Sequence, residues 1–239
     1  MDISTIGFIL SGISGTAWTL VYIQLIRLGF QQKTYGMPFI ALALNLAWEA
    51  LYAGIGLMEA PTNIQTIVNV VWLGFDIAIV ATYFKYGKED FKKLANKKYF
   101  IPWSIIVLLM AFTLQVAFYQ EFGKSDAKYV DDMLWFINPS LGCWYSAFTQ
   151  NLIMSIAFIS LLVQRKSLKG QHLSIAIAKC IGTLTPSILY GVILESNLVT
   201  CLGVFILIFD IIYIWMIIDF QQQNKITHSE FYRDATLSE

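Results

Sequence analysis

The stretch "YGMPFIALALNLAWEALY", residues 35–52, decides the fold, because it is apolar throughout yet carries a glutamate in its second half. A transmembrane helix needs about 20 apolar residues, and the apolar run around this stretch provides them. Glu49 falls near the middle of the resulting span, too far from either end for its carboxyl group to reach water. A charged side chain at that depth costs about 2.5–3.5 kcal/mol. We therefore expect Glu49 to face the interior of a helix bundle.

The composition of the whole chain is that of a membrane protein. The 239 residues are 57% hydrophobic and 13% charged, whereas about a quarter of a soluble domain is charged. The formal net charge is zero, so no basic surface is available to hold nucleic acid. Cys143, Cys180 and Cys201 lack metal-binding or redox spacing. They are most simply apolar filler, with a Cys143–Cys201 bridge as the alternative.

Seven apolar stretches have the length of transmembrane helices, which predicts an all-α membrane protein. Lysine and arginine cluster in alternate connections, so the positive-inside rule predicts an N-terminus outside and a cytoplasmic C-terminus. We expect one seven-helix domain over 1–220 and a polar cytoplasmic tail over 221–239. Its membrane would be the endoplasmic reticulum of a eukaryote or the cytoplasmic membrane of a bacterium. The predicted spans are about 6–28, 37–58, 65–84, 101–120, 141–163, 172–194 and 198–219.

Three carboxylates fall near the middle of predicted spans: Glu49, Asp76 and Asp210. Each has amide or aromatic neighbours close to its own helical face, mostly three or four residues away. These neighbours are Asn45, Trp48 and Tyr52 for the first acid, Trp72 for the second and Tyr213 for the third. Such acids serve either as polar pins between helices or as groups around a shared cavity.

A carboxyl group buried among aromatic rings is suited to carbocation chemistry. An apolar pocket disfavours the ionised form of the group, which then remains a proton donor. Aromatic faces attract nearby cations. A proton donor, the exclusion of water and cation-tolerant walls together are what carbocation cyclisation requires.

Several stretches resemble the small integral-membrane terpene cyclases of fungal meroterpenoid and indole-diterpene pathways. The resemblance is carried by the Asn-x-x-Trp-Glu element at 45–49, by "VWLGFDIAIVATYFKYG" at 71–87 and by "FDIIY" at 209–213. The region 150–183 is also similar to the fifth and sixth spans of that family, so the resemblance covers almost the whole chain. It implies seven helices and cyclisation of a polyprenyl or epoxypolyprenyl substrate, begun by protonation rather than by loss of diphosphate. The implied partners are this substrate and the lipid bilayer, and the oligomeric state stays open.

The resemblance also implies roles for the buried acids. It implicates Glu49 and Asp210 in protonation of the substrate, while Asp76 is a support or relay. The expected substrate-binding residues are Asn45, Trp48, Tyr52, Trp72, Tyr213 and Lys179.

Lys179 stands where the family pattern leads us to expect an arginine. Two uses are open for its ammonium group. It either contacts a diphosphate retained by the substrate or extends to the cytoplasmic surface along its apolar stem.

No metal or other cofactor is required by the sequence. "DDMLW" at 131–135 lacks the third acid of the Asp-Asp-x-x-Asp motif, which holds magnesium and diphosphate in ionising terpene synthases. The Asp-x-Asp-Asp motif of soluble protonation-type cyclases is missing as well.

Two alternatives remain open from the residues themselves. A seven-helix transporter or receptor would use the buried acids for proton coupling or ligand binding. The connection at about 121–140 is either a plain exposed loop or a lid over a membrane-facing opening.

Overall fold

The described residues form a bundle of seven helices, which confirms the all-α membrane fold. The computed structural model describes residues 2–236, except for the side chains of 92–94 and 224–236. Each of the seven helices in the described residues has a segment long and apolar enough to cross a membrane. Their bounds are α1 Ile3–Gln31, α2 Phe39–Glu59, α3 Ile64–Leu94, α4 Phe100–Glu121, α5 Leu141–Arg165, α6 Leu173–Pro186 and α7 Asn197–Thr236.

Polar side chains determine where several helices begin. Asp2, Asn63, Ser140 and His172 each accept a hydrogen bond from a backbone N–H two or three residues later. Such caps satisfy amide groups that have no partner inside the helix, and each contributes about 1 kcal/mol. The apolar runs therefore become helices with sharp starts.

α6 is interrupted at Pro186 and continues as a π-helical segment, Ser187–Ile193. Proline has no N–H to donate and its ring crowds the preceding turn, so a regular helix cannot continue through it. The missing N–H leaves the Gly182 carbonyl without its helical donor, and the Ser14 hydroxyl of α1 donates to that carbonyl at 2.6 Å. The wider turn extends the span to Ile193 and coincides with the wall of the cavity described below.

The connection between α4 and α5, residues 122–140, folds over one end of the bundle, and we call it the cap segment. A methyl group on Gly7 of α1 would lie 3.0 Å from the Met133 sulfur, so helix and segment are in close contact. The Ser4 hydroxyl also donates to the Asp132 carbonyl at 3.2 Å. The buried side chains of the cap segment include Val130, Met133, Phe136 and Ile137. The segment is therefore a packed cover and not a plain exposed loop.

α7 continues beyond its apolar part. The sequence led us to expect a polar tail from residue 221, but the helical backbone runs on to Thr236 and the apolar span ends at Gln223. The last three residues of that tail, 237–239, lie outside the described residues. The basic connections 32–38 and 166–172 lie together, since the Gly170 N–H donates to Gln32 Oε1 at 2.6 Å. An outside N-terminus remains a prediction from the positive-inside rule.

The three cysteines are free thiols. Cys143 is buried, Cys180 is half-buried and Cys201 is exposed. The alternative of a Cys143–Cys201 bridge is therefore not realised in this structure.

The crossing of α4 and α5 depends on a glycine. A methyl group on Gly142 would overlap the backbone carbonyl of Phe118. Gly142→Ala is therefore expected to lower the free energy of unfolding by about 1–3 kcal/mol, measured by thermal unfolding in detergent. Gly54→Ala in α2 is the matched control, because a methyl group there meets nothing within 4 Å. The control should raise stability through helix propensity, and an equal rise for Gly142→Ala would contradict the close crossing.

Candidate active site

A cavity of about 620 Å³ lies in the half of the bundle that the cap segment covers. Its walls come from α1, α2, α3, α5 and α6, and the cap segment adds Phe136 and Asn138. Small-molecule sites usually have volumes of about 300–1,000 Å³, so the cavity has room for a substrate. The aromatic side chains that line it are Phe8, Trp18, Tyr22, Trp48, Trp72, Phe136, Trp144, Phe148 and Tyr190.

Glu49 places its carboxyl group at this cavity. Its side chain is only 2% exposed, and its Oε2 atom accepts no hydrogen bond from the described residues. Among the described lining residues it is the single carboxylic acid, and lysine, arginine and histidine are absent from them. The cavity therefore combines one acidic group with apolar and aromatic walls.

Asn45 connects Glu49 to a second buried acid. Its amide nitrogen donates to the Tyr22 hydroxyl at 2.5 Å and to Asp76 Oδ2 at 2.8 Å. The Tyr22 hydroxyl also interacts with the Glu49 carboxyl group. Because Tyr22 accepts from Asn45, its own hydrogen is available for Glu49. Two acids from different helices are thus joined through one amide and one hydroxyl group.

Two glutamines orient Asn45 from the opposite side. Gln150 of α5 donates to the Asn45 carbonyl oxygen at 3.3 Å, and Gln115 of α4 donates to Gln150 Oε1 at 2.8 Å. Gln115 also donates to the Leu44 backbone carbonyl at 3.3 Å. A buried amide needs all of its donors and acceptors satisfied, so this chain fixes the orientation of Asn45. Side chains from α1 to α5 meet in one network.

Asp210 lies in a separate cluster with Lys179. The Lys179 ammonium group donates to Asp210 Oδ1 at 2.7 Å and to the Ser155 hydroxyl at 2.6 Å. Both charged side chains are at most 2% exposed, and neither lines the cavity. Lys179 thus extends neither to the cytoplasmic surface nor into the cavity. The pair joins α5, α6 and α7 inside the bundle.

The four predicted aromatic residues take different positions. Trp48 and Trp72 line the cavity, with their indole N–H groups donating to the Cys143 carbonyl and to the Thr19 hydroxyl, each at 3.1 Å. Tyr52 lies behind Trp48, at 5.0 Å between ring centroids, and does not line the cavity. Tyr213 is buried further away, where its hydroxyl donates to Gln171 at 2.9 Å.

Several site residues were missed in the sequence. Tyr22, Gln115 and Gln150 are single polar residues in apolar helices, without a second signal at helical spacing. Tyr22 could have been suspected only if the neighbour of α2 had been known. The run of small residues at 11–17 is typical of close helix packing, and its Ser14 donates to the Gly182 carbonyl of α6 at 2.6 Å. The same segment also forms part of the cavity wall.

The acidic pair in "DDMLW" lies outside the cavity. Asp131 and Asp132 belong to a short 3₁₀ turn of the cap segment, and both are exposed. Among the described residues, no three histidine, cysteine, aspartate or glutamate side chains converge as they would around a metal ion.

Comparison with known proteins identifies the family. The model of the Pyr4-like transmembrane terpene cyclases matches residues 1–223. A Pyr4-family terpene cyclase, mfmH of Annulohypoxylon moriforme, is 28% identical over 177 residues, 74% of this chain and 66% of the relative. The terpene cyclase ascF of Acremonium egyptiacum is 28% identical over 71% of this chain and 61% of its own length. The terpene cyclase andB of Emericella variicolor is 26% identical over 77% of this chain and 71% of its own length.

The match spans less than two-thirds of the length of mfmH and of ascF. The family match itself covers all seven spans and the three predicted acids. This chain therefore belongs to the family of Pyr4-like transmembrane terpene cyclases.

Proposed function

We propose that this protein cyclises a polyprenyl or epoxypolyprenyl substrate inside the cavity, and that Glu49 starts the reaction by donating a proton. The observation that carries the proposal is a buried carboxyl group whose Oε2 has no partner in the described residues, set in an aromatic-lined cavity. Membership of a terpene cyclase family favours this function over a transporter or receptor. The chemistry follows from the groups that face the cavity.

The first step transfers the Glu49 proton to an epoxide oxygen or to a terminal alkene carbon. With an epoxide, the C–O bond at the more substituted carbon breaks and its oxygen becomes a hydroxyl group. The resulting cation is attacked by the next double bond, and each ring closure moves the positive charge along the chain. Loss of a proton from the last cation ends the reaction, and return of that proton to the Glu49 carboxylate restores the acid.

Tyr22 and Asn45 act as positioning residues in this proposal. The Tyr22 hydroxyl holds one side of the Glu49 carboxyl group, which leaves Oε2 for the substrate. Asp76 supports them through Asn45, at 2.8 Å from the amide nitrogen.

The aromatic walls would stabilise the cationic intermediates. Trp48 and Trp72 approach the cavity from α2 and α3, and Trp144 and Tyr190 approach it from α5 and the π-helical segment. A cation over a desolvated aromatic face gains about 2 kcal/mol. Tyr52 would contribute by supporting the ring of Trp48.

Lys179 and Asp210 take a supporting role in the proposal. The Lys179 charge is balanced by Asp210 at 2.7 Å, so it is not available for a diphosphate group. We therefore propose a substrate that brings no diphosphate into the cavity. Asp210 and Tyr213 would then act on catalysis through the packing of α7, and the protonation role that the resemblance implied for Asp210 is tested below.

Product analysis tests the function directly. Membranes containing the protein would be supplied with polyprenols, epoxypolyprenols and prenylated aromatic compounds, in ordinary water and in D₂O. We expect cyclic products from at least one neutral compound. Alkene protonation would leave non-exchangeable deuterium in the product, whereas epoxide protonation would leave none. No conversion of any compound, together with proton flux or solute uptake in proteoliposomes, would instead support the transporter.

Tyr22→Phe tests the positioning role. The variant keeps the ring and removes the hydroxyl that binds Glu49 and Asn45. A hydrogen bond to an ionisable group is worth about 1.5–3 kcal/mol, so kcat should fall about 10- to 100-fold with little change in KM. Tyr83→Phe is the matched control, since it removes a buried hydroxyl that is hydrogen-bonded to Ser104 at 3.0 Å outside the cavity. Equal losses in both variants would mean that Tyr22 has only a structural role.

A further inference from the structure

The cavity is open on its lipid side, between α1 and α3. Five apolar side chains that line the cavity are 41–55% exposed, whereas Tyr22 and Glu49, which also line it, are at most 2% exposed. The exposed side chains mark the rim of an opening. These residues are Phe8 and Leu20 of α1, and Ile64, Ile67 and Val71 of α3.

α1 does not contact α3 at the glycines that line this opening. A methyl group on Gly12 or Gly15 of α1 would meet nothing within 4 Å, although both residues line the cavity. Further along α1, a methyl group on Gly29 would lie 2.9 Å from Thr82 of α3. The helices are therefore in contact at one end and separate at the other.

Specific contacts close both ends of the opening. At the end of the opening far from the cap segment, the Trp72 indole donates to the Thr19 hydroxyl at 3.1 Å. At the end of the opening next to the cap segment, Phe8 stacks on Trp135 of that segment, with ring centroids 4.9 Å apart. The Asn63 amide also donates to a cap-segment carbonyl at 2.7 Å, which joins the segment to the start of α3. We call the space between these contacts the α1–α3 slot.

We infer that the α1–α3 slot is the route by which a prenyl substrate passes sideways from the hydrocarbon core of the bilayer to Glu49. The inference rests on the proposed function and goes beyond it by naming the path and the physical state of the substrate. Moving a long prenyl chain from hydrocarbon into water is strongly unfavourable, because each CH₂ group transferred adds to the cost. A sideways path avoids this cost, because its rim is apolar.

At the end of the bundle under the cap segment, the described residues offer no comparable path. Met133, Phe136 and Ile137 of the cap segment are each at most 2% exposed and seal that end. The slot, by contrast, leads to the buried Oε2 of Glu49, which has no partner in the described residues. One route thus connects the lipid with the proposed proton donor.

Binding kinetics test the route without any turnover. The protein, in a Glu49→Gln background, would be reconstituted in liposomes that contain a neutral farnesyl ether bearing a dansyl group. Energy transfer from the cavity tryptophans to dansyl reports association, and dilution into probe-free liposomes reports release. Gly12→Leu narrows the slot and Ile67→Ala widens it. Gly74→Leu and Ile77→Ala are matched controls, since both lie on α3, face outward and do not line the cavity.

Gly12→Leu should slow association and release by at least about fivefold each, as expected for an added barrier of about 1 kcal/mol at a bottleneck. Ile67→Ala should speed both rates, and the equilibrium affinity should change little. Both controls should match the parent protein. Equal rates in Gly12→Leu and Gly74→Leu, with no change in Ile67→Ala, would overturn the route. Lost affinity at unchanged rates of association would also overturn it, because Gly12 would then act only inside the binding site.

The two proposals fail in different ways. Because binding is measured with an inactive variant, the route can be confirmed or rejected whatever the catalytic result. An absence of cyclisation by the wild-type protein would reject the proposed function and leave the kinetic result to stand by itself. If Gly12→Leu fails to fold, Ile67→Ala still tests the route through its effect on the rates of association and release. Ile67 is 55% exposed, so its replacement by alanine disturbs no packed core.

Discussion

Glu49→Gln is expected to lower kcat for cyclisation by about a thousandfold or more, with a smaller change in KM. Glutamine has nearly the same shape and can still interact with Tyr22, but it cannot serve as a proton-donating acid. General acid catalysis contributes about 10²–10⁴ in rate, and no other acid among the described residues lines the cavity to replace Glu49. The measurement is product formation in membranes under single-turnover and steady-state conditions.

Two further variants test whether the loss depends on the position and the reach of the Glu49 carboxyl group. Glu59→Gln at the exposed end of α2 makes the same chemical change outside the cavity, and it should leave kcat unchanged. Glu49→Asp keeps an acid but withdraws it by one methylene group, so its rate should lie between wild type and Glu49→Gln. A Glu49→Gln enzyme with wild-type kcat would remove Glu49 from the chemistry.

Lys179→Met is expected to have the largest effect on stability, lowering the free energy of unfolding by about 3–5 kcal/mol. The reason is that the Asp210 carboxylate, 2.7 Å from Lys179 and nearly inaccessible, would lose its counter-charge inside the bundle. Methionine has a similar length and apolar stem, so packing is retained. Thermal unfolding in detergent measures the loss. Adding Asp210→Asn to Lys179→Met should recover most of it, because no buried charge then remains unpaired.

A more exposed ion pair provides the comparison. Asp90 pairs with Arg165 at 3.0 Å, and its side chain is 28% exposed. Asp90→Asn should cost less, about 1–2 kcal/mol, because the remaining Arg165 guanidinium keeps its hydrogen bonds to the Tyr35 and Lys169 carbonyls at 2.7 and 3.0 Å. A loss as large as that of Lys179→Met would show that burial is not what makes the Lys179–Asp210 pair sensitive.

The double variant also decides the role of Asp210. If Asp210 serves only to balance Lys179, the Lys179→Met/Asp210→Asn protein should fold and retain cyclisation within about tenfold of wild type. If it folds with normal stability but has lost turnover as completely as Glu49→Gln, Asp210 takes part in proton transfer, as the family resemblance implied. Stability and activity measured on the same sample separate the two outcomes.

Much of the fold was predictable because lipid restricts the choices of the backbone. Seven apolar stretches of sufficient length had to become helices, since no other open segment satisfies its amides in hydrocarbon. The helices extend beyond the predicted spans, most of all in α7, because apolar length marks the membrane and not the end of the helix. The Asn45–Glu49 spacing also placed an amide and an acid together on one face of α2.

The partners of the buried acids were not predictable from spacing. Asp76 and Asp210 have similar depth and similar aromatic neighbours in the sequence, yet Asp76 meets Asn45 while Asp210 meets Lys179. The difference depends on which helices are neighbours and how each is rotated about its axis. The sequence of a single span specifies neither the neighbouring helices nor the rotation. A buried acid can accept its hydrogen bonds equally well from an amide or from an ammonium group on any adjacent helix.

The sequence by itself determined the membrane class, the number of helices and the need to bury three acids, because the cost of a carboxylate in lipid leaves no alternative. Tertiary structure alone decided that Glu49 faces a cavity, that Asp210 is neutralised by Lys179 and that the cavity opens between α1 and α3. Those features arise from contacts between residues far apart in the chain, and such contacts exist only once the helices have packed.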